Sequence, residues 1–481
     1  MVVAKHIFLC SILAACMCCT SVQAAQQPQA WSESLAVPDS DVPSLLLPIV
    51  DRSALLAEDE ALLAAAAGGS ANKRMRVARG SDVSADTTKE GTWQTLADGS
   101  RLWRLRVLAP QATDLQIGFA RFQLPEGATV FVYSTSERYS SGPYRAADVN
   151  PSGQLWAAMV PGEEAMIELH LPAGTSEHQL EVTYVGAGYR DMFSREGGFV
   201  PLGGSGACNI NVACALGNPY PDQIRSVARY TLVDGGTYLC SGSLVTNAEH
   251  DGTPYFLTAA HCVSTNAVAG TMTFYWNYQS TQCATNTGAS MAQNQSGATL
   301  RMTRANVDTT LVQLTSVPAA EFNVFYSGWD ATGTTPAGTI GIHHPSGDVK
   351  KITEDANGIS TMNNCIGTGG GTTNTHWRTG APYTQGTTEG GSSGSGIWIP
   401  AGDASGGGRL VIGVLSGGTA QCSGSVPNSG YDCYGKLSVA FTGSNASQRL
   451  KDWLDPNNSG VLRVQGSDGA GNDTIFKNGF E

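Results

Sequence analysis

Charge is scarce in this chain, and positive charge most of all. Only 14% of the 481 residues are Asp, Glu, Lys or Arg, with 28 basic against 40 acidic side chains and a formal charge of −12. No stretch gathers Lys and Arg into a stripe that would neutralise a run of phosphates, which excludes nucleic acid as an expected partner. Lysine is absent altogether between Lys89 and Lys350. The apolar run at residues 7–19 is too short to span a bilayer. Residues 92–184 hold no cysteine, so no disulfide braces them. Among the eight cysteines beyond residue 24, no pair has the C-x-x-C spacing a structural zinc site prefers.

What is present is glycine, 58 residues of it, with many Ser, Thr and Asn, a composition that suits short strands and many turns in an all-β protein. Residues 1–24 read as an export signal: Lys5, the apolar run, then Val22-Gln23-Ala24 as a small-residue cleavage pattern. Leu13-Ala14-Ala15-Cys16 offers the alternative of a lipoprotein signal with lipid on Cys16. Signal removal leaves Cys208, Cys214, Cys240, Cys262, Cys283, Cys365, Cys422 and Cys433. An even number in an exported chain points to disulfides, and eight cysteines allow 105 pairings.

Residues 25–67 are Pro-, Ser- and Ala-rich with a short acidic helix expected over 54–67, and the basic run 73–79 reads as a solvated strand edge. From 92 to about 186 the pattern alternates. Leu115, Ile117 and Phe119 take turns with polar or small neighbours, as do Ile167, Leu169 and Leu171, and turn signals such as Asp98-Gly99 and Pro125-Glu126-Gly127 separate the runs. Several short strands of this kind predict a β-sandwich. From 203 to 465 short apolar runs again alternate with Gly/Asn/Ser turns, and a closing helix is expected over 447–454. Residues 466–481 read as a linker and a short terminal tag.

Three stretches carry chemistry. Thr388 to Gly396 holds Gly391-Ser392-Ser393-Gly394-Ser395, where a serine with glycine two before and one after can sit on a tight turn with its hydroxyl presented. Such Gly/Ser runs are also ordinary loops. Phe256-Leu257-Thr258-Ala259-Ala260-His261-Cys262 reads as a buried strand leading into a histidine, and Asp308 precedes the alternating strand 310–314. Alone, His261 reads as a core histidine and Asp308 as a strand cap. Together, in the order His, Asp, Ser, they are the residue types that make a hydroxyl nucleophilic: a base to take its proton and a carboxylate to hold the base's tautomer. Ser392 and Ser395 are the rival nucleophiles, but only Ser393 has glycine on both sides at those spacings. His343 and His344 invite a metal reading, yet neighbours on a strand point to opposite faces, so both read as structural. His376 and Trp377 are candidates to flank the cleft.

Six islands in this order resemble the bacterial lysyl endopeptidases, a secreted branch of the trypsin-like serine proteases: Ser205-Gly206-Ala207-Cys208-Asn209-Ile210, residues 257–263, Phe325-Tyr326-Ser327-Gly328-Trp329-Asp330, Ile342-His343-His344-Pro345, residues 391–395, and Tyr434-Gly435-Lys436. The resemblance implies a chymotrypsin-like double β-barrel over 203–465, with the site in the cleft between barrels. It assigns His261, Asp308 and Ser393 to catalysis and the Gly391 and Ser393 N–H groups to an oxyanion hole. It implies cleavage on the carboxyl side of lysine, with lysine plus arginine as the alternative; Asp432 would be the carboxylate that meets the basic side chain, with Ser416 and Gly417 on the opposite wall, and the family's pattern has histidine where this chain has Ser416. It also implies the disulfides Cys208 with Cys422, Cys214 with Cys283 and Cys240 with Cys262, leaving Cys365 and Cys433 for each other. Residues 25–202 would then be a pro-region that assists folding and inhibits. No cofactor and no metal are expected, the partners being protein or peptide substrates and the chain's own pro-region. Arg190 and Arg195 lie where the pro-region would be cut, and no lysine does. In trypsin-like zymogens an aspartate at the place of Ser392 captures the new amino terminus, which a hydroxyl cannot do, so activation by terminal insertion is not expected. The rival readings are the same triad with another side-chain preference, and an inactive protease-like protein, the sandwich being a binding module.

Overall fold

In the computed structural model, residues 30, 41–65, 74–193, 204–363, 365, 374–404 and 408–469 are described. The expected signal with Cys16, Arg195, and the terminal tag from residue 470 onward lie outside them.

The alternating apolar positions of the N-terminal part build the sandwich. One sheet has the strand order Ser44–Leu46, Arg101–Leu108, Glu164–Leu171, Thr129–Ser134, Ser140–Tyr144, with Thr92–Thr95 also paired to Arg101–Leu108. The facing sheet contains Met75–Asp86, Gln179–Gly188, Asp114–Gln123 and Leu155–Trp156. Leu105, Val107, Ile167 and Leu169 from the first and Leu115, Ile117, Phe119 and Val182 from the second meet in one buried cluster, as period-two strands with one apolar face require.

One expectation needs correction here. The basic run at 73–79 is no solvated edge: Met75–Asp86 is an interior strand, paired on one side with Gln179–Gly188 and on the other with Gly236–Val245 of the second half. Its cations are answered locally, Arg76 by Glu58 and Asp59 of the helix Arg52–Ala65. Through this strand the sandwich sheet continues into the first barrel as one twelve-stranded sheet. Some polar members of the alternation are buried as well, where the second half covers them. Gln116 is fully buried and its amide reaches Thr231 Oγ1 at 3.1 Å and Thr273 Oγ1 at 3.3 Å, while Tyr184 OH pairs with Thr237 Oγ1 at 2.9 Å.

The first barrel uses Thr273–Trp276, Val227–Val233, Gly236–Val245, Tyr255–Thr258, Thr309–Leu314 and Ala298–Arg304, each paired with the next. It closes through one bend. Gly297, at φ +82°, lets the chain pass from Asn294–Ser296, paired with Thr273–Trp276, into Ala298–Arg304 at the far side of the ladder. The second barrel has the order Ile210–Asn211, Lys351–Asp355, Thr339–His343, Gly396–Trp398, Val411–Gly418, Asp432–Lys436, His376–Arg378, Ser360–Met362. Phe256 and Phe274 from the first and Trp329, Trp398 and Leu437 from the second belong to one core.

The closing helix is shorter than expected. Only Lys451–Leu454 is helical, with a separate turn at Leu437–Ala440. Asn445 Oδ1 accepts both the backbone N–H and the hydroxyl of Ser447, so a side-chain turn replaces the helix's first turn.

Four disulfides join Cys208 to Cys422, Cys214 to Cys283, Cys240 to Cys262 and Cys365 to Cys433. Replacing Cys240 and Cys262 together with Ala, 22 residues apart in sequence, is expected to lower unfolding free energy by about 3 kcal/mol. Urea unfolding of the oxidised protein and the variant checks this.

Candidate active site

The strand Tyr255–Thr258 ends in a turn, where Ala259 O accepts the N–H groups of Cys262 and Val263. His261 stands on that turn, and the Cys240–Cys262 bridge anchors it to the neighbouring strand. Asp308 immediately precedes Thr309–Leu314, the strand paired directly with Tyr255–Thr258, and follows the 3-10 turn Ala305–Val307 in a left-handed conformation at φ +48°, which Asp tolerates better than most residues. Its backbone O accepts the Ala260 N–H at 3.2 Å.

This brings carboxylate and imidazole into a two-point contact. Asp308 Oδ1 accepts the backbone N–H of His261 at 2.8 Å, and Oδ2 accepts from Nδ1 at 2.7 Å. A carboxylate only accepts, so the ring proton sits on Nδ1 and Nε2 is left with its lone pair. Nε2 is shielded from solvent and has no hydrogen-bond partner among the described residues.

The serine turn is pressed against the same corner. Gly394, at φ +82°, has no room for a side chain: a Cβ there would collide with Thr258 Oγ1 and Ser241 O, three residues before His261 and on the adjacent strand. Of the three serines, Ser392 is engaged, its hydroxyl 2.8 Å from His343 Nδ1 and accepting the Glu389 N–H at 3.1 Å. Ser393 Oγ and Ser395 Oγ are buried with no hydrogen-bond partner among the described residues.

The backbone around Ser393 is held in a way that leaves two donors unused. Ser346 N–H donates to Gly390 O and Ser395 N–H to Ser392 O, which turns the peptide planes so that the N–H groups of Gly391 and Ser393 point away from those acceptors. Neither N–H donates a hydrogen bond to any described residue. Two such groups beside a hydroxyl form a cradle for a negatively charged oxygen.

Ser241 organises this loop and was not foreseen. Its N–H donates to Ser393 O at 2.8 Å, and its hydroxyl donates to Gly391 O at 2.9 Å while accepting from His344 N–H at 3.1 Å. It lies 150 positions from the glycine it holds, and only its place beside Cys240 hinted at the site. Glu389 ties the loop to residues 206–209, accepting from Gly206 N–H at 2.9 Å, Asn209 Nδ2 at 2.8 Å and, from a third segment, Ser346 Oγ at 2.7 Å.

Asp432 is fully buried opposite Gly418 in the register of Asp432–Lys436 against Val411–Gly418. The register slips between Leu415 and Gly417, so Ser416 is skipped in that ladder, its hydroxyl buried without a hydrogen-bond partner among the described residues. Gly417 follows at φ +148°. A cavity of about 650 Å³ lies between this wall, at Gly390, Gly418 and Thr419, and the N-terminal unit, at Asp59, Leu62, Arg74 and Arg190. Arg74 Nη1 donates to the His261 backbone O at 3.4 Å, so the N-terminal unit touches the histidine itself.

Matches to known proteins now bear on this geometry. Residues 202–435 match the family model of the lysyl endopeptidase C-terminal domain, and residues 52–184 match that of the lysyl endopeptidase N-terminal domain. The chain belongs to the lysyl endopeptidase family. A curated relative, the lysyl endopeptidase of Pseudomonas aeruginosa PAO1, is 32% identical over 296 residues, 57% of this chain and 59% of that protein; the match thus spans about three fifths of the relative's length. Solved structures that align include a thermostable serine protease AL20 from an extremophilic microorganism, at 14% identity, 45% of this chain, 93% of that chain and TM-score 0.31. Kallikrein-related peptidase 10 aligns at 16% identity, 51%, 98% and TM-score 0.32.

In this lysyl endopeptidase family member the remaining expected residues fall as follows. His343 and His344 do not converge: His344 Nδ1 bonds Asp348 O at 3.0 Å, and burial, then the charge of Lys350, keeps its imidazole well below the usual range. His376 is buried close enough to Asp308 to feel its charge, with burial lowering its pKa; Trp377 lies in the core, its indole donating to Ile412 O. Cys240, His261 and Cys262 cluster tightly, but the two sulfurs are bonded to each other and offer no thiolate. Arg190 is locked into the folded unit, its guanidinium on Asp59 at 2.8 Å and its carbonyl accepting Thr113 Oγ1 at 3.2 Å. Cleavage after it requires that corner to open first.

Proposed function

We propose that this chain is the precursor of a secreted serine endopeptidase that cuts on the carboxyl side of lysine through an acyl-enzyme. The observation that carries the reading is the two-point Asp308–His261 contact beside a serine turn with two unspent backbone donors. In this mechanism Ser393 Oγ attacks the peptide carbonyl, and His261 Nε2 takes its proton. Asp308 holds the imidazolium, and the Gly391 and Ser393 N–H groups receive the oxyanion. His261 then protonates the leaving amine, and water repeats the cycle on the ester. A lysine side chain entering the slot meets Asp432, since an unpaired ammonium there would be costly. The four disulfides fit an oxidising, extracellular setting, and residues 25–202 act as the pro-region, with Arg74 against His261.

The test is a fluorophosphonate together with an unbiased peptide library, read by mass spectrometry. The expected result is one adduct, on Ser393, and cuts after lysine that the adduct abolishes. An adduct elsewhere, or cuts that persist once Ser393 is blocked, would overturn the reading. Gly391→Ala is expected to lower kcat roughly 100- to 1000-fold. Its Cβ would press on Leu239 Cδ2 and on His344 O at 3.0 Å, in a φ of +90° that side chains resist, so the first oxyanion donor is displaced. Progress curves normalised to folded protein measure the loss.

A further inference from the structure

Asp432, assigned above to meet the lysine side chain, does not stand alone in the core. One of its oxygens, Oδ2, accepts two hydroxyls, Thr388 Oγ1 at 2.5 Å and Tyr383 OH at 3.0 Å. Tyr383 OH in turn lies 3.2 Å from Tyr434 OH, and all four side chains are buried. Burial first, then the charge of Asp432, pushes both phenols well above their ordinary range, so they remain donors throughout the pH range of a folded protein. A carboxylate oxygen offers about two acceptor sites, and on Oδ2 both are used by these hydroxyls. The other oxygen, Oδ1, lies against Gly418, where a Cβ would collide with it.

We infer that Tyr383 and Thr388 are positioning residues that make the slot select an ammonium over a guanidinium, by holding Asp432 so that an incoming cation meets it through one oxygen. This rests on the assignment of Asp432 made above. A guanidinium gains its advantage from a planar fork that needs both carboxylate oxygens, whereas an ammonium is a point charge with three rotatable donors and is satisfied by one. Removing a hydroxyl from Oδ2 frees an acceptor site and makes the fork possible. The choice between lysine and arginine is then set by the hydroxyls behind the carboxylate as well as by the depth of the slot.

The test compares kcat/KM for paired peptides differing only in Lys or Arg before the scissile bond, using protein produced from the full chain and titrated with fluorophosphonate. Wild type should favour Lys. Tyr383→Phe, which keeps the ring volume, should lower the Lys/Arg ratio about tenfold, mostly through KM, and Thr388→Val should act in the same direction. A ratio unchanged in folded variants, or equal losses on both substrates, overturns the inference. Should neither variant fold, inhibition of the wild type by butylammonium and butylguanidinium decides. An ammonium at least tenfold tighter supports the inference, and a guanidinium that binds equally or better overturns it. Asp432→Asn separates the two levels. If it leaves the preference for basic residues intact, the Asp432 assignment fails; if it abolishes that preference while Tyr383→Phe leaves the ratio unmoved, only the role of the hydroxyls fails.

Discussion

Ser393→Ala is expected to lower kcat on a lysyl peptide by about six orders of magnitude, with His261→Ala adding almost nothing to it. A loss of that size is what removal of the nucleophile from a triad costs, and the members act as a unit, so the effects do not add. What survives is the work of groups the substitution leaves in place: the Gly391 and Ser393 amides, still oriented by Ser346 and Ser241. The fold should not suffer, because Ser393 Oγ makes no hydrogen bond among the described residues and the backbone carbonyl, not the hydroxyl, holds the turn to Ser241. Ser395→Ala serves as the comparison, since Ser395 Oγ is equally buried and likewise has no partner among the described residues. Long-incubation assays at high enzyme concentration, on the single variants and the double, measure all three. A fall of less than a hundredfold for Ser393→Ala, or the larger loss appearing at Ser395, would remove Ser393 from the mechanism.

Asp308→Asn should cost about four orders of magnitude in kcat while leaving the structure close to intact. The amide oxygen can still accept the His261 backbone N–H, now made by Oδ1 at 2.8 Å. The amide nitrogen, however, replaces the oxygen that takes the Nδ1 proton at 2.7 Å. An NH2 group donates, so the favoured tautomer carries its proton on Nε2, which then cannot accept one from Ser393. Asp308→Ala tests a different thing, because it also deprives the turn at His261 of its backbone acceptor. Nitrogen-resolved NMR of His261, beside kcat and the rate of phosphonate labelling, reads the tautomer directly. A fall of tenfold or less with the proton still on Nδ1 would show that Asp308 does not set the ring.

Much of the architecture was legible because it is written in short periods. The alternation of Leu115, Ile117 and Phe119, and of Ile167, Leu169 and Leu171, predicted strands that face one buried cluster. The reading of 73–79 as a solvated edge went wrong for a physical reason. A strand's own sequence does not say what lies beside its open hydrogen-bonding edge, and here Gly236–Val245 fills it, with Glu58 and Asp59 neutralising Arg76. The same holds for Gln116, a polar residue at an outward position whose outside is another part of the chain. The helix expected at 447–454 failed more locally, where Asn445 and Ser447 offered the backbone a competing turn.

By itself, the amino-acid order determined the chemistry on offer: a β-protein with an even set of cysteines beyond residue 24, a histidine after a buried strand, an aspartate before another, and a serine between glycines. Those are properties of residue type and near spacing, which local sterics and periodicity express wherever the segment ends up. Only the tertiary structure decided the aim of these groups. It set the two bonds from Asp308 to a histidine 47 residues away and the clasp of Ser241 on a loop 150 residues on. It also placed the Thr388 and Tyr383 hydroxyls behind Asp432, and Arg74 against the histidine. Each is a contact between chain segments whose separation carries no local signal. Their geometry exists only once the strands that bear them have been packed, because it is the shared sheet and the common core that turn a list of polar residues into aligned donors and acceptors.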